Sequence, residues 1–230
     1  MNNLKLASTM LVQPGAAFVA LDKSPKFWFP LLVPIAAQVA VLLWYFGVVD
    51  YQWLTDQIVS GTPSMREMTP DQQQKAMLSQ GAMTWWTIGA TVILLPLLRV
   101  AEAGYFWLAG KVSNVQRSFR HWLALSAWST FPYVLAIALM TIPLLLQQGG
   151  KTTQEGLNLL SLNELLFHVP RDSEWHTLLS TLTVLHPWLW WLGVQGVRTW
   201  SGRSLGFSML LALLPVAVVY VAWALTIVVS

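Results

Sequence analysis

Residues 27–49 read FWFPLLVPIAAQVAVLLWYFGVV, and no Asp, Glu, Lys or Arg interrupts them. About 20 apolar helical residues cross a hydrocarbon core about 30 Å thick, so this stretch suffices for one passage. Four more charge-free windows follow: Ala76 to Leu98, His121 to Gly150, Trp175 to Val197 and Ser204 to Ser230. Together they predict an all-α integral membrane bundle of five transmembrane helices, at about 27–49, 84–107, 121–147, 176–198 and 205–229. The whole chain, 1–230, reads as one membrane domain.

Composition agrees. Apolar residues make up 55% of the chain, only 10% is charged, and the mean hydropathy is +0.54. A soluble domain carries about 25% charged residues, so a water-facing shell cannot be assembled here, and the short connections leave no room for a soluble catalytic domain. The net charge of +3 raises nucleic acid as a partner, yet the basic residues sit in short segments between apolar windows, which points to the bilayer instead. Cysteine is absent, removing disulfides, thiolate nucleophiles and sulfur-ligated metals. Ala7 to Leu21 is broken by Gln13 and Pro14, a poor core for a cleaved signal. The expectation is an amphipathic helix with Ala17, Phe18 and Leu21 on the membrane surface.

Positive charge accumulates on the cytoplasmic side of short loops, so the connections give an orientation. Lys5, Lys23 and Lys26, then Lys111, Arg117 and Arg120, then Arg198 and Arg203 occupy alternate connections, with Asp22 as their one acid. The other two connections carry eight acids, Asp50, Asp56, Glu67, Asp71, Glu155, Glu164, Asp172 and Glu174, against four bases. The N-terminus is therefore expected inside and the C-terminus outside. Trp28, Trp107, Trp122 and Trp200 fall at the expected inner ends and Trp53, Trp85, Trp86 and Trp175 at the outer ends, where amphipathic rings meet headgroups.

Both acidic loops should be partly ordered. Thr69-Pro70-Asp71 supplies an N-cap, a proline at the first helical position and an acid in the first turn, predicting a short helix through Leu78. In the second loop, Leu162, Leu165, Leu166 and Phe167 form an apolar cluster expected on the outer leaflet.

Each predicted span contains proline: Pro30 and Pro34, Pro96, Pro132 and Pro143, Pro187, and Pro215. Proline frees a carbonyl, which a neighbouring helix can re-satisfy. Arg99 and Glu102, three apart on one helical face, are the ionisable residues other than histidine inside a span. Such charges are costly and often functional. They form either a self-neutralising pair or a contact for lipid, ligand or partner. Gly193, Gln195 and Gly196 place small residues and an amide in the fourth window, which marks it as central to helix packing; the Leu, Val and Ala of the fifth suit a lipid-facing helix. His121, His168, His176 and His186 lack metal-ligand spacing, and no GxSxG elbow, Walker loop or GxGxxG occurs. No catalytic, cofactor or metal residue is nominated.

Several segments, in order, resemble a known family. Pro14-Gly15-Ala16-Ala17-Phe18, Ser24-Pro25 and Trp28-Phe29-Pro30 look like the opening of bacterial Yip1-domain proteins. Ser118-Phe119-Arg120-His121-Trp122 leading to Phe131-Pro132 resembles the family's inner loop and proline-bearing third span. Leu157 through Trp191 to Gly196, then Ser201-Gly202-Arg203-Ser204, resembles its outer segment, fourth span and tight inner turn. The acidic-tyrosine-glycine-proline motif of the eukaryotic members is missing, which argues against Golgi trafficking through small GTPases.

The resemblance implies a non-enzymatic protein of the bacterial cytoplasmic (inner) membrane. Some members accompany MacB-type ABC exporters, so the expected partners are the exporter permease and its membrane-fusion adaptor, beside the lipid bilayer and a homo-oligomer. The expected contact residues are Arg99, Glu102, Gln195, Leu162, Leu165 and Phe167. Two alternatives stand: a small oligomeric channel or carrier lined by Arg99 and Glu102, and a membrane-organising protein acting through amphipathic wedges.

Overall fold

The computed structural model describes residues 1–146 and 149–229. The predicted end of the third span at Gln147 and the last residue of the fifth window, Ser230, lie outside them. In chain order the helices are α1 (Asn3–Val12), α2 (Pro14–Lys23), α3 (Trp28–Val48), α4 (Tyr51–Gly61), α5 (Pro63–Arg66), α6 (Pro70–Ala76) and α7 (Gln80–Val112). They continue as α8 (Phe119–Thr130), a 3₁₀ turn (Phe131–Tyr133), α9 (Val134–Leu139), α10 (Thr141–Leu146), α11 (His176–Thr181), α12 (His186–Ser201) and α13 (Leu205–Val229). Among the described residues there is no strand, only an isolated bridge between Ser161 and Thr183.

Among the described residues, four helices are long and apolar enough to cross a membrane: Trp28–Val48, Gln80–Val112, Phe119–Leu146 and Leu205–Val229. The expected fifth, at 176–198, is not one continuous helix. Backbone bonds from Leu162 N–H to Leu182 O and from Val184 N–H to Leu160 O hold the chain extended between α11 and α12. Pro187 then sits in the first turn of α12, where its missing N–H costs nothing. The 16 residues of α12 span about 24 Å, short of a bilayer core.

The chain forms two compact units, one of residues 1–35, 93–134 and 185–230, the other of 36–92 and 135–184. In the first, the core gathers Phe18, Leu21, Phe106, Trp122, Leu125, Trp128, Leu192 and Val197. Ala17, Phe18 and Leu21 are fully buried there, which corrects the expected surface-lying helix: α2 presents its apolar face to protein. Gly196 makes room, because a Cβ at that position would stand 2.9 Å from the Phe18 ring and from Leu125; the other glycine of the pair, Gly193, has open space. Trp122 and Trp200 are likewise buried in protein, meeting each other edge to face at 5.7 Å, with Trp122 stacked on Phe106 and Trp200 edge-on to Phe18.

Main-chain groups in this unit are satisfied by side chains from other helices. The Asp22 carbonyl is met by His121 Nε2 at 3.1 Å, Pro25 O accepts from Arg120, Lys26 O from the Trp128 indole at 2.6 Å, and Phe18 O from the Trp200 indole at 2.9 Å. Pro215, inside α13, cannot donate to the carbonyl four residues back. That carbonyl, of Leu211, accepts instead from the Tyr105 hydroxyl of α7 at 3.0 Å. In the third apolar segment, Pro132 coincides with the 3₁₀ turn, and Pro143, unable to donate to Leu139, follows the break at Met140.

In the second unit the loops are tied to helix ends. Asp50 caps α4 through Trp53 N–H and its own N–H donates to Gly150 O. Gly150 has φ 71°, a left-handed conformation suited to glycine. Tyr45 donates to Thr152 O and Gln80 to Phe46 O. The expected helix at Thr69-Pro70 is present as α6, ending at Ala76 rather than Leu78, with Gln72 Oε1 accepting from Thr69 N–H.

The Tyr105–Leu211 bond yields a testable cycle. Tyr105→Phe should lower the stability of the detergent-purified protein by about 1 kcal/mol, and the loss should shrink toward zero in a Pro215→Ala background, where the helix bond is restored. Equal losses in both backgrounds, measured by denaturant titration, would contradict the assignment.

Candidate functional site

α7 carries Arg99 and Glu102 one turn apart, and the i, i+3 spacing places both on one face. Arg99 Nη1 donates to Glu102 Oε2 at 2.7 Å. The same oxygen accepts from the Ser126 hydroxyl of α8 at 2.5 Å, and Ser126 is fully buried. The Arg99 and Glu102 side chains are 26% and 22% exposed, so protein covers most of the pair. Ser126 draws the carboxylate toward α8, and the third apolar segment is thereby joined to the second by a charge-assisted bond.

An aromatic group with a histidine lies in the same unit. The Tyr220 ring stands 6.3 Å from His186 and 5.9 Å from Trp190, and His186 is 6.2 Å from Tyr133. These rings bring α12 and α13 together beside the turn at Tyr133.

The other nominated residues do not join it. Gln195 is half-buried on α12, and among the described residues its amide has no hydrogen-bond partner. Leu162 is half-buried, while Leu165 and Phe167 are exposed on a short π-helical turn, Asn163–Phe167, with Leu166 beside them. His168 closes that turn in the left-handed region, and the Asn163 amide bonds the backbone of Val169 in both directions. Among the described residues no group of three His, Asp or Glu is placed to hold a metal ion. Tyr51 of α4 donates to the Leu78 carbonyl, and partial burial pushes its phenol pKa up.

Ser126 was not nominated from sequence. It is one hydroxyl in an apolar run, and its partner lies 24 positions away; only the fold identifies it.

The basic segments are also joined to one another. Arg117 makes a two-pronged bond to Asp22, at 2.6 and 3.1 Å, linking the connection after α7 to the end of α2. Arg203 donates to Ser113 O at 2.6 Å, linking it to the turn after α12, where Gly202 at φ 64° ends the helix. The eight basic residues of these three segments fall in the first unit and the eight loop acids in the second. Arg171–Glu155 at 3.0 Å closes the second acidic loop on itself, and Arg66–Asp172 at 3.9 Å joins it to the first.

Four apolar helices of spanning length and an ion pair held among them define a multi-pass membrane protein. The model of the Yip1 domain matches residues 8–226, nearly the whole chain, and the chain belongs to the Yip1-domain family. No curated protein and no solved structure matches it.

Removing one partner of a covered ion pair costs more than replacing both. Arg99→Met and Glu102→Gln should each destabilise the protein by about 3 kcal/mol, and the double variant should recover more than half of the summed loss. Additive losses in a double-mutant cycle would show that the pair is not coupled.

Proposed function

We propose that this chain is a non-enzymatic accessory subunit of the bacterial cytoplasmic membrane that docks laterally on the permease or adaptor of a MacB-type ABC exporter. The observation that carries the reading is an uncovered apolar stripe. Leu210, Leu214, Val218, Val221, Leu225 and Val228 recur every three or four residues along α13, and each is exposed. Such a stripe suits lipid, as its composition suggested, and equally a partner helix whose small residues let it approach closely. The intramembrane charges are turned inward at the same time, with Glu102 neutralised by Arg99 and bonded by Ser126. A pore-lining or ion-carrying role is less well supported, because those groups already satisfy each other. Wedge-like membrane remodelling by the N-terminal segment is also less well supported, because Ala17, Phe18 and Leu21 are buried in protein. The exporter as partner follows from the likeness to the bacterial branch of the family.

The reading includes five crossings, with 176–201 passing as a broken fourth segment, the N-terminus in the cytoplasm and the C-terminus outside. Its support is the charge separation, since basic connections stay inside.

Two experiments test it. A tagged chain extracted in mild detergent should bring down exporter permease or adaptor, and Val218→Trp on the stripe should reduce recovery several-fold at unchanged expression; failure of the unmodified chain to recover any exporter component would refute the docking. The chain contains no cysteine, so Gln116→Cys and Gln74→Cys can be labelled singly in intact cells. An impermeant thiol reagent should modify Gln74→Cys alone, and modification of Gln116→Cys would reverse the orientation.

A further inference from the structure

We propose that the turn after α7 binds the phosphate of an anionic phospholipid, with Lys111 as the principal cation. This inference stands on the first unit alone and does not depend on the exporter reading.

α7 ends at Val112, and Asn114 turns the chain in the left-handed region at φ 58°. Val115 N–H then bonds back to Gly110 O at 2.8 Å, a helix-ending arrangement that folds 113–118 across the last turn of α7. The fold leaves a cavity of about 470 Å³ lined by Trp107, Lys111, Val115, Gln116, Arg117 and Ser118. Its polar lining holds two cations, the Gln116 amide and a hydroxyl, and contains no carboxylate.

The local charge is uncompensated. Asp22 is the one acid among the basic segments, and both of its oxygens are taken by Arg117. Lys111 has no acid within ion-pair distance among the described residues; its ammonium lies 3.6 Å from the centre of the Trp107 ring. Arg203, bonded to Ser113 O, brings a further cation to this turn and lies over Phe207 rather than beside a carboxylate. Cations resting on aromatic faces keep most of their charge for an anion.

What selects a lipid over a free anion is the neighbouring surface. Leu108 and Val112, 58% and 88% exposed, run beside Trp107 and Lys111 on the same two turns of α7. A cationic pocket flanked by a bare apolar strip at the end of a spanning helix fits a phosphate that carries acyl chains. Each basic residue near an anionic membrane surface contributes about 1 kcal/mol, equal to about a five-fold preference.

The test uses the full chain purified in neutral detergent, with phosphatidylglycerol, phosphatidylcholine and inorganic phosphate as separate probes. Native mass spectrometry should show phosphatidylglycerol retained over phosphatidylcholine, and phosphatidylglycerol alone should raise the thermal midpoint. Lys111→Gln should lower the preference about five-fold, Lys111→Arg should keep it, and Lys151→Gln in the second unit should leave it unchanged. Lys111 is exposed, so its replacement should not disturb folding, which an unchanged midpoint without lipid would confirm. The proposal is overturned by equal retention of the two lipids, by full preference in Lys111→Gln, or by inorganic phosphate giving the same midpoint shift as phosphatidylglycerol.

Discussion

A polar group placed among apolar helices must find its partner inside the protein, because lipid offers none. Much of the first unit follows from this requirement. The Leu211 carbonyl, released by Pro215, is met by Tyr105; the carbonyls closing α2 and its link to α3 are met by His121, Arg120 and Trp128. The Glu102 carboxylate is met by Arg99 and Ser126. These bonds fix which helices are neighbours, while the apolar contacts fix how closely they approach. Gly196 is the clearest case of the second kind, since any side chain there would strike Phe18 and Leu125.

The N-terminal pair α1 and α2 gains its role from both effects. Leu6, Met10, Ala17, Phe18 and Leu21 are buried, and the Trp200 indole bonds the Phe18 carbonyl from α12. Asp22 then closes the end of α2 against Arg117. Thus a segment too short and too polar to cross a membrane becomes part of the core that holds α8 and α12. The same arrangement gathers the three basic connections and uses their one acid, so the positive charge left over is free to meet an anionic surface.

Much of this was legible in the chain. Among the described residues, four of the five charge-free windows hold helices long and apolar enough to cross. The Arg99–Glu102 pair follows from i, i+3 spacing, and the start of α6 from its cap. What could not be read depends on contacts distant in sequence. The break before α12 rests on bonds from Leu160 and Leu162. Burial of α2, Trp122 and Trp200 was missed because an apolar face looks the same in sequence whether lipid or protein covers it. Ser126 was missed because a lone serine has no periodicity, and among the described residues the Gln195 amide has no hydrogen-bond partner while Leu165 and Phe167 stay exposed.

The central claim is that α2 belongs to the core of the first unit rather than to the membrane surface. Hydrogen exchange on the intact protein in lipid nanodiscs tests it most directly. The amides of Phe18, Val19, Ala20 and Leu21 should exchange as slowly as those of Leu192 to Val197 in α12, and should lose that protection in Phe18→Ala. Fast exchange across α2 in the unaltered protein, with α12 still protected, would contradict the account.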